Sequence, residues 1–106
     1  MESSSKSARI RRLVLDVLKA HQPRIDVLAL EIGVLEGVDS VNIIRDETDR
    51  STEGIIVTIV GDNLIFKEIE EILRQFGCSI HSVDEVVVGE HIINTVNLPE
   101  EEKTVF

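Results

Sequence analysis

The chain carries four strand-like and two helix-like apolar patterns. In IRRLVLDVL, residues 10 to 18, Leu13, Leu15 and Val17 fall on one parity and Arg12, Val14, Asp16 and Leu18 on the other, which predicts a first strand with one mixed face. Pro23 then stands at a first helical position, and Ile25, Leu28, Ile32 and Leu35 recur at intervals of three and four, predicting a helix closed by Gly37. Gly33 weakens that helix by ~1 kcal/mol against alanine. VDSVNIIR, residues 38 to 45, reads as a second strand, and the polar run DETDRSTEG predicts a hairpin with a longer loop. IIVTIV, residues 55 to 60, is apolar on both parities, as a central strand buried on both faces would be. Asp62 or Asn63 caps a second helix, whose stripe is Ile65, Ile69, Ile72, Leu73 and Phe76 and which Gly77 closes. CSIHSVDEVVVGE then supplies a fourth strand ending near Gly89.

Strand, helix, strand, strand, helix, strand is the split βαβ order, so the fold class is α+β, a ferredoxin-like βαββαβ sandwich. Right-handed crossovers make its four-stranded antiparallel sheet run in the order 4-1-3-2, with both helices on one face. Residues 1–8 read as a flexible arm, 9–93 as a single domain and 94–106 as an acidic tail. The uncovered face is expected to hold Val14, Leu18, Ile44, one parity of the third strand, and Val83 and Val87. That content is too apolar for water, so a homo-oligomer is expected, formed through this open face or through an edge strand.

Composition narrows the function classes. A chain of 106 residues with 42% hydrophobic residues, nearly all aliphatic, builds one core. The single cysteine, Cys78, excludes an internal disulfide and a cysteine zinc site and suits a reducing cytoplasm. MESSSKSARIRR has no apolar segment for export, and no run reaches the ~18 apolar residues that span a bilayer. Net charge is −9, which disfavours nucleic acid; Lys6, Arg9, Arg11 and Arg12 read as a solvated arm, with no Tyr or Trp to stack on bases.

His81, Asp84 and Glu85 are the unusual residues, because they interrupt a strand. The predicted topology sets the start of that strand beside the end of the first, so Asp16, His21, His81 and Asp84 share one rim, and Glu85 joins if a bulge re-aims the strand. The hairpin acids Asp46, Glu47, Asp49 and Glu53 reach the same end on the far side of the sheet. Clustered carboxylates suit a hard cation such as Ca²⁺ or Mg²⁺, and two histidines suit a transition metal, so Asp16, Asp84, Glu85, His81 and His21 form the candidate metal set. DETDRSTEG fails the EF-hand pattern, since Thr48 and Arg50 occupy oxygen-donor positions and the glycine is misplaced. Against the metal stands a plainer reading: salt bridges to Arg12 or Lys19, and histidines bonded to backbone carbonyls. An enzyme would use His81 as general base oriented by Asp84 or Asp16. There is no nucleophile elbow and no glycine-rich phosphate loop, and Cys78 has only His81 near it in sequence, so no catalytic residue and no organic cofactor are assigned.

Three strings, LVLDVLKAHQP at 13–23, LEGVDSVN at 35–42 and IHSVDEVVVG at 80–89, resemble the archaeal domain-of-unknown-function family 211. The resemblance implies an archaeal source, a ferredoxin-like fold and a tendency to form homo-oligomers, and it implies no reaction. It also implies Asp and His at Asp16, His21, His81 and Asp84, where bound calcium would fit. The chain departs at Ala20, where a proline is usual, which is expected to loosen the loop carrying His21, and in an extension beyond Gly89. The leading expectation is a non-enzymatic ligand-binding and assembly module, similar in architecture to ACT-type domains, with a cation at the Asp16/Asp84 rim. The alternatives are a purely structural scaffold and a small hydrolase using His81.

Overall fold

The computed structural model describes residues 8–94; all but the first residue of the expected acidic tail at 94–106 and most of the expected arm lie outside them. Its elements are β1 (Ile10–Ala20), α1 (Ile25–Gly33), β2 (Val38–Thr48), β3 (Thr52–Gly61), α2 (Phe66–Gln75) and β4 (Ser79–Val88). All three strand pairings are antiparallel, and the sheet order β2-β3-β1-β4 is the expected 4-1-3-2 seen from the other edge.

Residues directly opposite in an antiparallel pair point to the same face. Leu13, Leu15 and Val17 of β1 therefore share a face with Ile59, Val57 and Ile55 of β3, and all six are buried. Leu28 and Ile32 of α1, Ile69 and Leu73 of α2, and Leu64 close over them to form the core. The expected helical stripes are thus the buried ones, although Ile65 at the edge of α2 stays largely exposed. β3 is buried on this face only, because Ile56, Thr58 and Val60 on its other parity are no more than half-buried.

Strand ends reach beyond the apolar runs, since ladder pairing continues where burial stops. β2 and β3 stay paired out to Thr48 opposite Glu53, so the expected longer loop shrinks to Asp49, Arg50 and Ser51. Asp49 holds this turn: its amide donates to the Thr52 carbonyl at 2.9 Å, and its Oδ1 accepts from the Ser51 amide and the Thr52 hydroxyl. Those bonds, the Ser51 amide first, keep the Asp49 carboxyl below its ordinary pKa.

Helix ends also differ in detail. Pro23 stands two residues before α1, and Arg24 occupies the N-cap without a side-chain cap. α2 is capped by Ile65 rather than by Asp62 or Asn63; the Asp62 carboxylate instead pairs with Arg11 at 3.2 Å and Arg9 at 3.5 Å. Gly77 does end α2 as expected, with φ +78°, the Gly77 amide on the Arg74 carbonyl and the Cys78 amide on the Leu73 carbonyl, the Schellman pattern. Gly37 lies four residues past α1, where its carbonyl is so close to Gly61 that a Cβ at Gly61 would stand 2.0 Å from it.

A pair of glycine substitutions tests this packing. Gly61→Ala should destabilise the fold by about 2 kcal/mol or more, because backbone and the Leu64 side chain block the methyl. Gly33→Ala meets nothing nearer than 4.0 Å and should be neutral or stabilising by up to ~1 kcal/mol in urea titrations.

Candidate functional site

The hairpin end of the sheet carries ionisable side chains on both faces. On the helix side the period that buries Leu13, Leu15 and Val17 also buries the next residue of that parity, Lys19, which is 1% exposed and lies opposite Glu53. A buried ammonium is tolerated only with partners. Lys19 Nζ has three, matching its three hydrogens: Glu53 Oε1 at 3.1 Å, the Ala20 carbonyl at 2.8 Å and the His21 carbonyl at 3.2 Å. The other carboxylate oxygen, Oε2, meets His21 Nδ1 at 3.1 Å, and His21 Nε2 meets the Arg50 carbonyl at 2.9 Å. Arg45 approaches the same oxygen at 3.9 Å. The network ties the end of β1 to the hairpin turn and, with Arg24 and Asp26, lines a cleft of about 380 Å³.

Hydrogen bonding to charged partners moves both titrations. The bond to Glu53, then the one to the Arg50 carbonyl, raises the His21 pKa above its ordinary 6.5. Bonds from His21 and Lys19 hold Glu53 below its ordinary 4.5.

On the open side a second cleft, about 400 Å³, is lined by Asp16, Leu18, Glu47, Thr48, Asp49, Thr52, Gly54 and His81 among others. Gly54 lies opposite both Leu18 and Glu47, so its missing side chain leaves the floor of the cleft between β1 and β2. Among the described residues neither the Asp16 nor the His81 side chain has a hydrogen-bond or ion-pair partner. His81 enters this cleft because it is the extra residue of a bulge. Along β4 the partners of Asp16 and Val17 are Ser82 and Ile80, which leaves His81 unpaired; those of Val14 and Leu15 are Glu85 and Val83, which leaves Asp84 unpaired.

Of the five candidate metal residues, the structure brings Asp16 and His81 to one cleft and distributes the rest. His21 is on the helix side with Glu53. Asp84 accepts a hydrogen bond from the Ser82 hydroxyl at 2.7 Å, and Glu85 pairs with Arg12 at 3.4 Å. The expected far-side placement of the hairpin acids does not hold for Glu47 and Asp49, which line the Asp16 cleft, because only one strand separates β2 from β1. Among the described residues no group of three or more His, Cys, Asp or Glu is close enough to hold a metal ion. Ala20 does not loosen its loop: it pairs with Thr52, and its carbonyl takes a Lys19 proton. Cys78 is buried, which pushes its thiol pKa up.

Sequence reasoning missed the Lys19–Glu53–His21 network. Its one signal was a lysine on the buried parity of β1 with a glutamate two residues before IIVTIV.

Residues 11–102 match the model of domain-of-unknown-function family 211 (DUF211), described as uncharacterized ArCR. The match extends past Gly89, so most of the C-terminal extension is shared with the family rather than a departure from it. The chain is also 50% identical over 92 residues to an uncharacterised protein of Methanocaldococcus jannaschii, covering 87% of this chain and 95% of that one.

Lys19→Met should leave the Glu53 charge buried with fewer partners and lower Tm by on the order of 10 °C. The pH dependence follows from the two shifts. A raised His21 pKa adds stability that is full below pH 6.5 and is lost as pH rises through the folded value; a lowered Glu53 pKa adds stability that is full above pH 4.5 and is lost as pH falls through its folded value. Thermal melts should therefore show the network's full contribution between about pH 4.5 and 6.5, and His21→Ala should flatten the alkaline limb.

Proposed function

Since the chain belongs to the uncharacterised domain-of-unknown-function family 211, its own surfaces carry the argument, and we propose that it is a self-assembling module whose open sheet face is covered by another copy. The observation that carries this reading is the contrast between the edges and the open face.

Both edge strands are guarded. β4 bulges at His81 and Asp84, and β2 bulges where its register skips Asp39 and Asp46. All four of these residues are ionisable and exposed. A bulge bends an edge out of register and a charge there opposes an incoming strand, the two usual defences against strand addition. Assembly by edge pairing is thereby disfavoured.

The open face also carries Arg12, Asp16, Glu47 and Glu85, yet its central β1–β3 ladder is unbroken and apolar side chains stand among these charges. Leu18 and Ile44 are 46% and 58% exposed on it, beside half-buried Val14, Ile56 and Val60. Val87, opposite Arg12, belongs to this face as expected, whereas the Asp84 bulge moves Val83 to the parity of Leu15. Four strands about 4.8 Å apart and ten or eleven residues long present about 600 Å² in plan, near the ~800 Å² per partner of a standard interface.

A second reading concerns the ligand and is favoured by the cleft: three carboxylates, Asp16, Glu47 and Asp49, with His81, would draw in a divalent cation, calcium by their oxygen donors. Such an ion would have to pull the side chains together, because they form no ready-made cage. No catalytic role is assigned: among the described residues His81 has no orienting partner, and the Ser82 hydroxyl is committed to Asp84.

Light scattering at micromolar concentration should give a mass above one chain, and Ile44→Glu should lower it; a parent that stays monomeric removes the assembly reading. Calorimetric titration with calcium should give saturable heat in the parent and at least about tenfold weaker binding in Asp16→Ala. Absence of heat in the parent ends the cation reading.

A further inference from the structure

A chain of net charge −9 gathers an excess of cations in the helix-side cleft of about 380 Å³. Lys19, Arg24 and Arg45 line it against two carboxylates, Asp26 and Glu53, with His21 between them. Register puts Arg45 there. It lies opposite Ile55, whose side chain is buried under the helices, so Arg45 projects to the helix side, and with 59% of its side chain exposed it stands where the helical cover has ended.

Donors and acceptors in this cleft are unequal. All four carboxylate oxygens are taken: Glu53 Oε1 accepts from Lys19 and Oε2 faces His21, while Asp26 accepts from Arg24 Nε on Oδ1 at 3.1 Å and from Arg24 Nη2 on Oδ2 at 2.9 Å. Lys19 has committed its three hydrogens, and both ring nitrogens of His21 are engaged. Arg45 is different. Its contact with Glu53 Oε2 is at 3.9 Å, beyond hydrogen-bond reach, and among the described residues its side chain makes no hydrogen bond. Arg24 keeps Nη1 after its two bonds to Asp26. The internal pairings thus exhaust the acceptors and leave one whole guanidinium fork over.

We infer that this cleft binds a small oxyanion, a phosphate or carboxylate group, held by the Arg45 guanidinium with Arg24 beside it. A guanidinium fork meets two oxygens of such a group at once, which a point charge cannot do. The negative net charge of the chain does not forbid this, because salt screens distant charges beyond about 8 Å at physiological ionic strength and the local excess is positive. The site lies on the opposite face from the Asp16 cleft, so it stands apart from both the assembly and the cation readings.

Inorganic phosphate and acetate are the probes. Calorimetric titration of the parent with sodium phosphate or sodium acetate, sodium chloride holding the ionic strength constant, should give saturable heat with at least one of them. Arg45→Gln, shown by circular dichroism to be folded, should bind that anion at least about tenfold more weakly. Which anion saturates tells whether the group taken is a phosphate or a carboxylate. Saturation by neither, or binding that Arg45→Gln leaves unchanged, overturns the inference; oligomer mass and calcium heat are unaffected by either result.

Discussion

The structure depends on one uninterrupted ladder. β1 and β3 pair without a bulge from Arg12 opposite Val60 to Ala20 opposite Thr52, so parity along either strand assigns every side chain to a face. The core is what that ladder places on the helix side. The same rule carries Lys19 and Glu53 inward after the apolar residues end, and the buried ion pair is a consequence of register as much as of chemistry. Its partners then recruit His21 and the hairpin turn, closing the end of the sheet where hydrophobic packing has run out.

What was legible in the sequence followed from periods that hold. Leu13, Leu15 and Val17, and the helical recurrences through Leu28, Ile32, Ile69 and Leu73, announce their elements because burial selects the same chemistry at each repeat. Strand ends were less legible: Thr48 and Glu53 are polar and pair through backbone, which no side-chain pattern records. The candidate site was half-legible. Adjacency of β1 and β4 followed from topology and brought Asp16 and His81 together, but the faces taken by Asp84, Glu85 and Val83 depended on two bulges, and an extra residue in a ladder is visible only when its partner strand is known. Lys19 was misjudged as a surface partner because a charged residue is ordinarily assigned to water.

The two layers meet different demands. Helices cover one face of the sheet, and the βαββαβ order has no third layer for the other, so an aliphatic chain with few aromatics is left with more apolar surface than its own fold can hide. Polar cover is spent at the rims: the edge strands hold ionisable residues where the ladder breaks, and the hairpin end holds acids on its open side and paired acids and bases on its helix side. Contact is thus discouraged in the plane of the sheet and left open perpendicular to it.

The edge bulges differ in kind from the charges that occupy them. Replacing Asp39, Asp46, His81 or Asp84 by any other amino acid alters the side chain but leaves one surplus residue in the strand, so the misalignment persists. Only the in-frame loss of a codon would restore regular alternation and offer a neighbour a straight border. Point mutation can thus remove the charge at a bulge but not the surplus residue, and that part of the safeguard lies in the count of residues rather than in their identity.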